Sequence, residues 1–198
     1  MTAASPRLSP RRTRSPVGLA VAACLAFAFA AVDAGSAQAQ SAAFSLPAFF
    51  DGTSYSAGVT RTALFFTDAF TARFKGVRSG SHLRLDEHFR FPDGARLQRW
   101  NLTETPSGGF SGTVTTELGT GAMAPAVPVR GFTRGDHVVL VYDGYAPGGG
   151  TTLLGFRHVM TPQPGGTVEN HVTVYKFGIP VATSDVIFSK RPLKPAGQ

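Results

Sequence analysis

The chain has a single cysteine, Cys24, and a single tryptophan, Trp100, in 198 residues. One cysteine cannot form an intrachain disulfide, so a folded domain here must rest on its apolar core. Downstream of the N-terminal segment no run approaches the roughly 20 apolar residues that a membrane-spanning helix needs. No stretch carries the 3.6-residue period of an amphipathic helix. Three chemistries lack their signatures. There is no G-x-S-x-G elbow for a serine nucleophile. The glycine clusters Gly119-Thr120-Gly121 and Gly148-Gly149-Gly150 have neither the strand-to-helix context nor the lysine of a phosphate loop. The basic residues are scattered rather than gathered into a stripe with exposed aromatics, so nucleic acid is not an expected partner.

An address is present instead. Arg7, Arg11, Arg12 and Arg14 precede an apolar run from Val17 to Val32, and small residues then lead to Ala37-Gln38-Ala39. This is the grammar of a secretory signal over residues 1–39, cleaved near Ala39. Cleavage there leaves 159 of the 198 residues, about one domain, which we place at residues 40–191 with a tail at 192–198. Two alternatives stay open. Val21-Ala22-Ala23-Cys24 also reads as a lipobox that would lipidate Cys24, and the apolar run could remain as an uncleaved anchor. Thr13, Arg14 and Ser15 follow the Arg11-Arg12 pair where a twin-arginine signal would turn apolar. Every alternative puts the domain outside the cytoplasm. Without Arg7, Arg11, Arg12, Arg14 and Asp33 the formal charge falls by three, from +7 to +4. That leaves weak attraction to an anionic membrane surface.

The segment from His82 to Phe91 is the clearest structural signal. Leu83, Leu85, Phe89 and Phe91 alternate with His82, Arg84, Asp86, His88 and Arg90, the period of two of a half-buried strand. Glu87 alone breaks the pattern, a carboxylate on the apolar face. Similar runs predict strands at Ser54–Phe66, Asp68–Val77, His82–Phe91, Ala95–Glu104, Phe110–Glu117, Gly121–Phe132, His137–Tyr145, Thr151–Met160, Thr167–Lys176 and Val181–Ser189. Turn residues separate them, as in Pro106-Ser107-Gly108-Gly109 and Pro162-Gln163-Pro164-Gly165-Gly166. Short strands joined by short turns predict an all-β domain, a single antiparallel up-and-down barrel of about 8–10 strands, since closure removes exposed edges. Phe44 to Phe50 is expected to form a short lid or helical turn at one mouth. A three-residue loop Pro92-Asp93-Gly94 would place Glu87 opposite Arg99, pairing the buried carboxylate with a guanidinium. A two-residue Asp93-Gly94 loop would put Trp100 opposite Glu87 instead.

Leu46-x-x-Phe49-Phe50-x-Gly52, Leu83-x-Leu85-Asp86-Glu87-x-Phe89-x-x-x-Asp93-Gly94 and Trp100 form a recognisable pattern. It continues through Gly109-x-x-Gly112-Thr113, Leu118-Gly119, Phe156 with Met160, Asn170 and Lys176-Phe177-Gly178. From about Phe44 to Lys190 the chain resembles the domain of unknown function 3833 family of bacterial envelope proteins, often lipoproteins. The resemblance implies a lipocalin-like barrel and an envelope location, and no activity. Where that family tends to be acidic, this chain has Thr115-Thr116 and, within Phe156-Arg157-His158-Val159-Met160, a basic pair.

Several constellations point to chemistry and are weighed against plainer roles. His82, Asp86 and His88 share a strand face, but Arg84 and Arg90 beside them repel a cation, so neither metal nor cofactor is expected. His171 alternates with Glu169 and Thr173 and reads as a structural histidine. Asn101-Leu102-Thr103 matches a glycosylation sequon and reads as strand in a bacterial chain. Of the 16 phenylalanines only Phe27 and Phe29 lie in the export segment. The others suit a barrel core or a cavity in which Phe70, Phe74, Phe89, Phe91 and Phe156 contact a lipid or other apolar ligand. Ten buried methylenes at ~0.8 kcal/mol each give ~8 kcal/mol, against an association cost of ~4 kcal/mol or more. An anionic head group would look to His158, which alternation sends inward while Arg157 stays outside or at the rim. Such binding should weaken above pH ~6.5 as a free imidazole loses its charge. The other readings are a solid barrel with a structural role in the envelope, and an isomerase or cyclase using Glu87 with Arg99.

Overall fold

A computed structural model describes residues 44–62 and 66–195. The export segment, with Cys24 and Ala39, lies outside the described residues.

One short helix precedes ten strands. Helix α1 is Leu46–Phe50, and the strands are β1 (Gly52–Thr62), β2 (Phe66–Ser79), β3 (His82–Phe91), β4 (Gly94–Glu104), β5 (Gly109–Thr116), β6 (Val127–Arg134), β7 (His137–Gly144), β8 (Leu154–Pro162), β9 (Val168–Lys176) and β10 (Ile179–Ser189). Each strand pairs antiparallel with its neighbours in sequence, and β1 also pairs with β10, so the sheet closes into an up-and-down barrel. The alternating patterns thus do what they predict: one face of each strand fills the interior and the other meets water.

Two expected strands start later than the alternation suggests. Residues 117–126 form a turn in which Leu118 and Gly121 bond within the loop, and Pro125, which has no N–H to give a ladder, precedes β6. The glycine-rich segment before Leu154 is likewise loop, leaving β8 shorter at its start.

The two ends of the barrel differ. Ser45 caps α1, its hydroxyl accepting from the Ala48 N–H at 3.3 Å, and Pro47 occupies the first turn where no N–H is needed. Leu46 and Phe50 are buried, and the Phe50 ring lies 5.1 Å from Phe74 and 5.2 Å from Phe188. The helix therefore plugs this end. Its approach dictates Gly76 on β2, because a Cβ there would collide with the Phe50 carbonyl. At the other end the turns after β3, β5, β7 and β9 surround an open mouth.

Strand β1 turns Ser54, Ser56, Gly58 and Thr60 inward. These small residues make room for the rings of its neighbours, among them Phe70, Phe89 and Phe91, whose centroids lie 5.4–5.7 Å apart. Burying each such ring contributes roughly 1.5–3 kcal/mol.

The β3–β4 hairpin departs from the expected register. Phe91 pairs with Gly94, so the loop is Pro92-Asp93 alone and Gly94, at φ 141°, already belongs to the ladder. Glu87 consequently faces Gln98, and Arg99 faces Asp86. The expected Glu87–Arg99 pair does not form. The one-residue difference turns over the whole of β4, because side chains alternate with period two. The observed register buries Trp100 and Leu102 inside the barrel and sends Arg99 to the outer face. The expected one would have exposed both large apolar residues, a greater loss than the gain from pairing one buried carboxylate.

Candidate functional site

The barrel axis holds a cavity of about 130 Å³. Phe70, Phe74, Glu87, Phe89, Phe91, Phe156 and His158, all singled out from the sequence, line it together. Arg99 is not among them. Its Nε and Nη2 donate to the Asp86 carboxylate at 2.7 and 3.2 Å on the outer surface. The cavity continues past Thr60, Phe91, Phe156 and Ser184 into a wider depression of about 590 Å³ at the mouth, bordered by Asp68, Asp93 and Arg96.

Midway along the axis the apolar lining is interrupted by polar side chains from five strands. Glu87 on β3 is buried, and Trp100 Nε1–H donates to its Oε2 at 3.1 Å. Burial raises its pKa to about 8, the indole hydrogen bond working in the opposite direction. Gln98, also on β4, donates from Nε2 to Thr116 Oγ1 of β5 at 2.8 Å. On β8, His158 lies between Asn170 of β9, whose Nδ2 donates to its Nδ1 at 3.2 Å, and Tyr142 of β7, whose Oη is 3.4 Å from its Nε2. With Nδ1 accepting, the network puts the imidazole proton on Nε2. Burial lowers the His158 pKa to about 4, and it raises that of Tyr142 well above the usual phenol value. Trp100 stands edge-on to Tyr142 at 5.4 Å, and Tyr142 stacks on Phe156 at 4.8 Å.

These environments correct one expectation and bear on another. Arg99 neither holds Glu87 nor reaches a ligand, so the acid–base reading of Glu87 loses its guanidinium and its pKa reflects burial. His158 does point inward with Phe156 and Met160, while Arg157 is exposed. Burial disfavours its charged form, however, with a pKa near 4, which works against the expected cationic sensing of an anionic head group. At neutral pH this girdle offers an acid proton, amides, a phenol and a neutral imidazole, which is hydrogen bonding without net charge.

Gln98, Tyr142 and Asn170 were not singled out as site residues. Asn170 had a readable signal, since it interrupts the inward face Val168, Val172 and Val174 as Glu87 interrupts that of β3. Tyr142 gave none, because an inward tyrosine in an apolar run reads as core. The remaining histidines lie elsewhere. His82 Nδ1 is 3.1 Å from Thr103 Oγ1, and His171 Nδ1 is 2.8 Å from Asp185 Oδ1 on the outer surface. Among the described residues no group of three or more His, Cys, Asp or Glu is placed to hold a metal ion.

A family model matches residues 23–190, most of the chain. The chain belongs to the family described as protein of unknown function (DUF3833). The match to DUF3833 takes in every strand of the barrel and every girdle residue, from Glu87 to Asn170. No curated protein matches the chain.

Proposed function

We propose that this DUF3833 protein is an exported envelope protein whose barrel binds a small, largely apolar molecule along its axis. The observation that carries this reading is the cavity, blocked by α1 at one end, lined by phenylalanines and open toward the mouth. Export rests on the arginine-rich, apolar N-terminal segment.

Size limits the ligand. An engineered apolar cavity of about 150 Å³ holds a benzene, so 130 Å³ takes one ring or a comparable stretch of chain. Six methylene equivalents yield about 5 kcal/mol against an association cost of about 4 kcal/mol, which is weak binding. A tightly held lipid has to extend from the cavity into the mouth depression. Native purification followed by lipid mass spectrometry and fluorescent fatty-acid displacement tests the reading. Recovery of a stoichiometric apolar molecule, or saturable displacement, supports it; a barrel that carries nothing and takes up no probe overturns it. Anchoring is separable from binding: Cys24→Ser releases the protein from the membrane fraction if that residue is lipidated, and leaves fractionation unchanged if the signal is cleaved near Ala39.

A second reading has its own observation. Phe177 and Ile179, on the β9–β10 hairpin at the mouth, are 94% and 65% exposed, which suits an interaction protein with a filled barrel. Crosslinking in cells from position 177 should then capture a defined protein, whereas recovery of lipid alone favours the first reading.

A further inference from the structure

Asn170 is the one polar residue on the inward face of β9, and only 3% of it is exposed. Its Nδ2 is used by His158, but among the described residues its Oδ1 has no partner. A buried acceptor left unsatisfied bears its desolvation cost uncompensated, and Asn170 lines the cavity. The cavity beside Asn170 is the space from which a bound group could supply that partner once the amide turns toward it. A hydroxyl serves whichever way the amide is turned, since it both donates and accepts.

The surroundings narrow the class further. Through His158, Asn170 is joined to the Trp100–Tyr142–Phe156 aromatic group, and the His158 ring stands edge-on to Trp100 at 5.8 Å. Flat aromatic faces around a space of about 130 Å³ suit one ring. Among the described residues lining the cavity there is no Lys or Arg, and burial disfavours the charged form of His158. A carboxylate moved there would lose its hydration without gaining a counter-charge. We propose that the cavity takes a small uncharged ring alcohol, its ring against Trp100, Tyr142 and Phe156 and its hydroxyl bonded to Asn170. This rests on the binding function above and names the ligand class for it.

Benzyl alcohol, toluene and benzoate separate the contributions, titrated into the purified protein at pH 6.5 by calorimetry or NMR. Benzyl alcohol and toluene should bind saturably and benzoate should not. Asn170→Leu should weaken benzyl alcohol about tenfold, the scale of one lost hydrogen bond, and leave toluene within about threefold. Equal changes for the two neutral probes, or benzoate competing with them, overturn the assignment while leaving an apolar binding barrel intact. Failure of both neutral probes to bind the wild type removes the assignment, while the binding function is decided separately by the native lipid analysis and fatty-acid displacement. Should Asn170→Leu not fold, the wild-type Asn170 side-chain amide signals decide: they should shift with benzyl alcohol and hardly with toluene, and equal shifts overturn the proposal.

Discussion

Asp86 and Glu87 are consecutive carboxylates on one strand, and the sheet puts them in opposite surroundings. Asp86 points outward, where the Arg99 guanidinium holds its pKa below the usual carboxylate value. Glu87 points inward, where burial raises its pKa to about 8 and one indole N–H is its hydrogen-bond partner. Sequence position is nearly the same for both, and pleat direction makes the difference. A half-exposed ion pair has water on one side to screen it, whereas a buried acid stays protonated because nothing nearby compensates its charge. The outer pair lies on the far face of the sheet from the cavity. The inner residue lies in the cavity and gives up stability to be there.

The largest effect that would test this contrast is a pH dependence. The folded protein holds the Glu87 proton up to about pH 8, whereas an unfolded glutamate releases it near 4.5. Between those values the native state binds more protons, so stability falls as pH rises and levels off above 8. From pH 5 to 8 the loss is on the order of 4 kcal/mol. Glu87→Gln keeps the side-chain shape and removes the titration. Chemical denaturation at both pH values should therefore find the variant gaining that much relative to wild type, and a constant difference would show that Glu87 ionises like a surface acid.

His158 supplies the mirror image. Its pKa is lowered from 6.5 to about 4, so its contribution is present above 6.5 and is lost as pH falls toward 4. The scale is about 3 kcal/mol. The other titratable groups of the girdle are Glu87 and Tyr142, and the tyrosine is pushed out of this range. Between pH 4.5 and 6.5 the two slopes oppose each other, so wild-type stability should be nearly flat there. His158→Gln should expose the falling Glu87 slope alone. A flat profile in that variant would break the pairing.

A smaller effect concerns the indole hydrogen bond to Glu87. Trp100→Phe keeps most of the buried surface and removes the indole donor, at a cost of about 1–3 kcal/mol for a buried acceptor left unpaired. It should also move the Glu87 transition to still higher pH, since that bond works against the effect of burial. Both shifts are read from the same denaturation series.

The fold was legible because nearly every strand alternates cleanly. His82–Phe91 is bounded in the structure as the alternation bounds it, and the meander follows from the turn residues between strands. The site was legible only on the strand faces. An acid on an apolar face was a true sign of an interior polar group, and the same sign at Asn170 went unused. The partner of Glu87 was misread because the turn was weighed by the carboxylate's need for a cation rather than by the burial of Trp100 and Leu102. Phe91-Pro92-Asp93-Gly94 accommodates a loop of two residues or of three, and only the apolar face of the following strand distinguishes them. Pairings across the barrel, such as Trp100 with His158, depend on the closed register of several strands, and no local pattern encodes them.

The smallest effect belongs to the outer pair. Arg99 makes two hydrogen bonds to Asp86, yet their side chains are 37% and 23% exposed. Surface pairs of this kind are worth roughly 0–1 kcal/mol, and added salt reduces that further. Arg99→Ala should accordingly cost less than about 1 kcal/mol at neutral pH. Because the Asp86 pKa is depressed, its contribution is present above the ordinary carboxylate value and disappears as pH falls through the lowered one, so the cost should vanish in acid. The variant should also leave the binding of neutral apolar probes unchanged, since the side chain lies on the far side of the sheet from the cavity. A cost above about 2 kcal/mol, or a change in probe affinity, would mean that the sheet does not separate the two carboxylates as the observed register requires.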